Sequence, residues 1–125
     1  MAEATGLAVV VLIGTVLAFL LGGGYYAALA DRLPYPARQV PRWAYPAELL
    51  RCLVLAATVV GLGAVSGVDS WWAGLLLGLV LWVGFPLVLW TGAVVHERTP
   101  VATAVLHAGD WLLKLLALGL LAGLH

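Results

Sequence analysis

From Gly6 onward the chain consists of four apolar runs, each long enough to cross a bilayer, and no other feature of the sequence constrains the fold as strongly. A spanning helix needs about 20 predominantly apolar residues. The runs cover about residues 6–29, 47–65, 71–95 and 101–124, which leaves no stretch of the 125 residues for a soluble domain. Hydrophobic residues make up 64% of the chain and charged residues 10%, against about 45–50% and about 25% in soluble domains. In hydrocarbon every backbone polar group must be bonded within the protein, which restricts such segments to helices or closed barrels. Runs of this length predict the first. The expectation is an all-α protein, a four-span transmembrane helical bundle forming one integral membrane domain over residues 1–125.

The interruptions are chemically distinct. "DRLPYPARQVPRWAYP" carries four of the six prolines; proline removes a backbone donor and restricts the residue before it, so this segment reads as a surface loop. "SGVDS" is a tight polar turn, and "HERTP" ends the third run. The triplet "ALA" before Asp31 resembles a cleavage site, but "MAEATG" has no basic residue and the first run exceeds a signal core of about 7–15 residues. The first run is therefore read as a retained span.

Basic residues set the expected orientation. Arg32, Arg38, Arg42 and Arg51 belong to the first loop and its flanks, and Arg98 to the third, while the opposite segments have no Lys or Arg. The positive-inside rule then places loops 30–46 and 96–100 in the cytoplasm and both termini outside, in the plasma membrane. Tyr25, Tyr26, Trp43, Tyr45 and Trp90 would mark the inner interface, and Trp71 and Trp72 the outer one.

Small residues recur at four-residue spacing: Gly14, Ala18 and Gly22 in the first run, Gly74 and Gly78 in the third, Gly119 and Gly123 in the fourth. Such stripes let helices approach closely. The Gly74–Gly78 face is expected to join copies of the chain, with a dimer favoured among homo-oligomers. Pro86, after Gly84 and Phe85, should bend the third span and leave the Trp82 carbonyl without its usual donor; the bend is read as structural, the alternative being a hinge or a site for a polar ligand. Cys52, the single cysteine, excludes an intramolecular disulfide and reads as a small apolar residue inside a span.

The fourth run contains "HAGDWLLK", residues 107–114. At about 100° per residue, Thr103, His107, Asp110 and Lys114 share an arc of about 60°, bordered by Trp111. Asp110 lies roughly 15 Å from Pro100 along the axis, near the bilayer midplane. An isolated charge there costs about 2.5–3.5 kcal/mol on insertion scales. The i,i+4 spacing lets Asp110 and Lys114 pair, with His107 near enough to share their hydrogen bonds. Such a stripe is either a structural ion pair or a proton, ion or polar-solute site. Glu48 and Arg51, in the first turn of the second span, read as an ordinary interfacial salt bridge.

His96, Glu97 and Arg98 form a loop motif without metal-ligand spacing. With "HAGDWLLK" they resemble the carboxyl-terminal half of small bacterial membrane proteins grouped as domain-of-unknown-function family 1761. "GGGYYAAL" and "LWVGFPL" are similar to that pattern too. The resemblance implies an all-helical integral membrane protein of about this length, in which His96, Glu97, His107, Asp110, Trp111 and Lys114 belong to a recurrent motif. It implies no reaction and no substrate.

The residues themselves carry no Ser-His-Asp or Cys-His arrangement, no phosphate-binding glycine loop, and no cluster of three metal ligands. No enzymatic activity, cofactor or metal is expected. With six basic and six acidic residues nothing points to nucleic acid. The expected partners are the lipid bilayer, further copies of the chain and other membrane subunits. The first function expected is translocation of an ion, proton or small polar solute through an oligomer, using the charged mid-membrane site; the alternative is a non-catalytic structural or assembly role in a membrane complex.

Overall fold

The computed structural model describes residues 2–29 and 41–125. Arg32, Arg38 and most of the proline-rich loop lie outside them. The described residues form α1 (Ala2–Ala28), α2 (Ala44–Val65), α3 (Trp71–Gly84), α4 (Pro86–His96) and α5 (Val101–Leu124). Among the described residues, four helical segments are long and apolar enough to cross a membrane, the third being α3 and α4 together, Trp71–His96.

That third segment breaks where proline requires it. Phe85 leaves the helical region at φ −122 and ψ −74, and Pro86 opens α4 in its first turn. Pro86 has no N–H to return to the Trp82 carbonyl, while Phe85 N–H still bonds Leu81 and Leu89 N–H bonds Phe85. Gly84 is exposed, and a methyl group there would meet open space. The bend belongs to the proline.

Elsewhere the turns follow from single residues. Gly67, at φ 75, closes α2 in the left-handed conformation that glycine adopts without steric cost. Its N–H bonds Ala64 and the Val68 N–H bonds Gly63, which satisfies carbonyls at the helix end. Arg98 takes a similar conformation, φ 57, so that the Thr99 N–H returns to Ala93. Buried Thr15 donates its hydroxyl to the Val11 carbonyl one turn back, at 2.7 Å.

The helix that organises the bundle is α5, which packs against all four others. Nine of its 24 residues are buried, whereas α3 buries only Gly74 and Gly78. Those two glycines explain how α3 holds on. A Cβ at Gly74 would run into the Gly119 carbonyl, and a Cβ at Gly119 into the Gly74 carbonyl. Likewise Gly78 lies against the Leu115 carbonyl and Gly123 against the Ser70 carbonyl. The two backbones touch along the whole seam, replacing side-chain interdigitation with close backbone packing.

This corrects one expectation. The Gly74–Gly78 face, expected to join copies, is occupied within the chain by α5. The Gly14, Ala18 and Gly22 stripe of α1 is consumed internally too, against Ala56, Leu118 and Lys114. Ala18, Cys52, Ala56, Val59, Leu115 and Leu118 form the core where α1, α2 and α5 meet.

The seam sets the first prediction. Gly119→Ala should lower stability by about 2 kcal/mol or more, as overpacking does, whereas Gly24→Ala, where a Cβ meets nothing within 4 Å, should be neutral or slightly stabilising. Reversible unfolding in mixed micelles would measure both, and equal effects would contradict the seam.

Candidate functional site

Four charged side chains form one chain across two helices. The Lys114 ammonium donates to Asp110 Oδ2 at 2.9 Å and to Glu48 Oε1 at 3.2 Å. The other Glu48 oxygen accepts from Arg51 Nη1 at 2.6 Å. Two positive and two negative groups alternate, so the chain is neutral when all are ionised. Exposure grades along it: the Asp110 and Lys114 side chains are 6% exposed, Glu48 33% and Arg51 63%.

Each position has a local cause. Asp110 and Lys114 face one way because four residues return almost to the same side of a helix. Glu48 faces them because it continues the buried face of α2, which reads Cys52, Ala56, Val59, Val60 and Gly63. Its place one turn into α2 brings it to the middle of α5, so that it keeps the expected salt bridge with Arg51 and adds a second one to Lys114. The sequence held that signal: the small and apolar stripe of α2 at i+4 spacing extrapolates directly to position 48.

Glycine makes room for the pair. A Cβ at Gly22 would stand 2.8 Å from Lys114 Cε, 3.0 Å from its Nζ and 3.4 Å from Asp110 Oδ1. The α1 backbone therefore closes over the ammonium. Trp111 flanks it from α5, with its ring centroid 5.9 Å from Nζ, and Cys52 Sγ lies 3.8 Å from Glu48 Oε1. Asp110 Oδ1 is buried and, among the described residues, has no hydrogen-bond partner.

His107 stands apart from this chain, contrary to the expectation that it would share the pair's hydrogen bonds. It precedes Asp110 by three residues, which turns it toward α1 and α4 instead of α2. Its Nδ1 lies 2.6 Å from the Tyr26 hydroxyl. The Trp90 indole stacks on its ring at a centroid distance of 4.9 Å and 19°. Neighbouring aromatics bond the same stretch of α5: the Tyr25 hydroxyl donates to the Leu106 carbonyl at 2.6 Å, and Trp82 Nε1 to the Ala108 carbonyl at 2.8 Å. Gly109 is small because a side chain there would meet the Tyr25 hydroxyl. Thus Tyr25, Tyr26 and Trp90, read from sequence as interfacial markers, act as ties between helices.

The remaining sequence candidates are peripheral. Thr103 is half-buried one turn before His107. His96, Glu97 and Arg98 are exposed at the end of α4, where Arg98 shapes the turn. No group of three or more metal-ligating side chains occurs among the described residues.

The family model described as "Protein of unknown function (DUF1761)" matches residues 9–123, and the chain belongs to that family. No curated protein and no solved structure matches it.

The charge chain makes a directional prediction. Asp110→Asn should destabilise the fold by about 3–5 kcal/mol, because a buried ammonium keeps only Glu48. Asp110→Asn with Lys114→Met should cost less than the single change. Steric-trap or micelle unfolding of both variants tests it; a double variant worse than the single one would contradict the pairing.

Proposed function

For this member of a family of unknown function, we propose a non-catalytic role: an integral membrane subunit that serves as a structural or assembly element, its intramembrane charges acting as an internal lock. One observation carries the reading. The Lys114 ammonium is held by Asp110 and Glu48 together and is 6% exposed, so the charges are spent on joining α5 to α2. The backbone contact of α3 with α5 at the other end adds support, since Gly74, Gly78, Gly119 and Gly123 leave no space between those helices. Translocation, the other reading, would need a route between copies of the chain. A dimer would have to use faces outside the Gly74–Gly78 seam, such as the outward surfaces of α1 or α4.

The proposed setting is the plasma membrane, with both termini outside and loops 30–46 and 96–100 cytoplasmic, on the strength of five arginines in those loops and their flanks. Cysteines introduced at residues 39 and 68 report this: impermeant reagent applied outside should label 68 and spare 39.

Function is tested by two measurements. Purified protein in vesicles should give proton and potassium fluxes no greater than protein-free vesicles, and native gels of mild membrane extracts should show it in an assembly larger than its own 13.1 kDa. A flux abolished by Asp110→Asn, or a monomer in the extract, would overturn the reading.

A further inference from the structure

The break in the third span leaves two backbone groups without partners on the outside of the bundle. In an unbroken helix the Val88 N–H would return to the Gly84 carbonyl. Phe85, at φ −122 and ψ −74, interrupts that ladder. Bonds run from the Phe85 N–H to Leu81 and from the Leu89 N–H to Phe85, but among the described residues none joins Val88 to Gly84. Both residues are exposed, Val88 at 64%. Gly84 stands thirteen residues after Trp71 and twelve before His96, in the middle of the span. Acyl chains at that depth offer neither donor nor acceptor, and irregular backbone is tolerated there only where protein or a water-filled cavity covers it. We infer that the outer face of α4 around Gly84 and Val88 is covered by the same face of a second copy of the chain, in a two-fold dimer.

Three features of this face select a second copy. It presents one acceptor and one donor, so it is complementary to itself, as a two-fold contact requires. Two copies inserted the same way are related by an axis along the membrane normal. The Gly84 carbonyl and the Val88 N–H belong to one turn of chain and lie at nearly the same depth. The axis therefore sets the acceptor of each copy against the donor of the other. Next, the face admits a close approach: a Cβ at Gly84, or at Gly92 two turns further along α4, would meet nothing within 4 Å. Finally, α4 does not meet the need itself. The Thr91 hydroxyl is spent on the Leu87 carbonyl at 2.6 Å, and the flanking Phe85 and Leu89 are apolar and exposed. Lipid suits those two side chains but leaves the peptide groups unbonded. The seam of Gly74 and Gly78 with α5 stays intact in such a dimer. This contact goes beyond the assembly role proposed above, because it belongs to the purified chain, whereas that role is read from membrane extracts.

Purified full-length protein in phosphatidylcholine vesicles tests it in two ways. Oxidative cross-linking of Val88→Cys should give disulfide dimers well above those of Leu12→Cys, which is exposed on α1. The parent chain, whose single cysteine is buried, serves as the blank. Energy transfer between labelled copies, followed as lipid dilutes the protein, gives the dissociation constant. Gly84→Leu and Gly92→Leu should each raise it about tenfold, because a bulky side chain holds the two backbones apart. Gly24→Leu, on α1 and likewise free of neighbours within 4 Å, should change it by less than about twofold. Unfolding in mixed micelles checks that each variant is folded. Equal cross-linking at residues 88 and 12 would overturn the dimer, as would a dissociation constant that neither α4 variant changes. A parent chain that stays monomeric at every protein-to-lipid ratio would also overturn it, and would leave the assembly role to the extract experiment. Should Gly84→Leu fail to fold, Gly92→Leu and the cross-link decide.

Discussion

One buried ammonium between two carboxylates conditions the rest of this bundle. Taking a lysine head out of water costs several kcal/mol unless its donors are met, and Lys114 meets Asp110 on its own helix and Glu48 on another. The second partner matters more for the fold. An intrahelical pair alone would leave α5 free to rotate against its neighbours, whereas the Glu48 contact couples the register of α5 to that of α2. Gly22 then admits the α1 backbone over the same ammonium, so three helices are fixed by reference to one side chain.

Around that point the bundle divides into two kinds of interior. Toward the start of α5, helices are tied by polar and aromatic side chains: Tyr25 to Leu106, Tyr26 to His107, Trp82 to Ala108. Toward its end, α3 and α5 meet through glycine backbones, while α1 and α2 meet α5 through Ala18, Ala56, Val59 and Leu118. Lipid supplies little hydrophobic drive for helices to associate, so each half uses a different substitute. One depends on hydrogen bonds in a poor solvent, the other on the distance to which two backbones can approach.

What could be read from the sequence follows this division. Spans, turns and the bend at Pro86 are local consequences of apolar length and proline, and these were legible. The Asp110–Lys114 pair was legible too, because i,i+4 geometry is internal to one helix. Choice of partner between helices was not. The Gly74–Gly78 stripe looks the same whether it meets a second copy or α5, and nothing local distinguishes them. The Glu48–Arg51 salt bridge was legible and forms, but the second partner of Glu48, Lys114, was not, because Arg51 offered a sufficient local partner and hid the longer stripe on which Glu48 lies. The same applies to His107, whose proximity to Asp110 along the chain proved a poorer guide than the 81 residues that separate it from Tyr26.

The central position of α5 also bears on how the protein is made. It is the least apolar of the four candidate spans, with mean hydropathy 1.5 against 1.9 to 2.6 for the others, and it carries the buried charges. It is also the last of them to leave the ribosome. During synthesis the earlier spans must therefore wait in the bilayer with their inward faces against lipid, Glu48 among them. When α5 arrives, it finds on α2 a carboxylate, Glu48, to receive Lys114. Insertion of the weakest span is thus assisted by a group laid down far ahead of it in the chain, and the packing of the first three spans is completed only by the fourth.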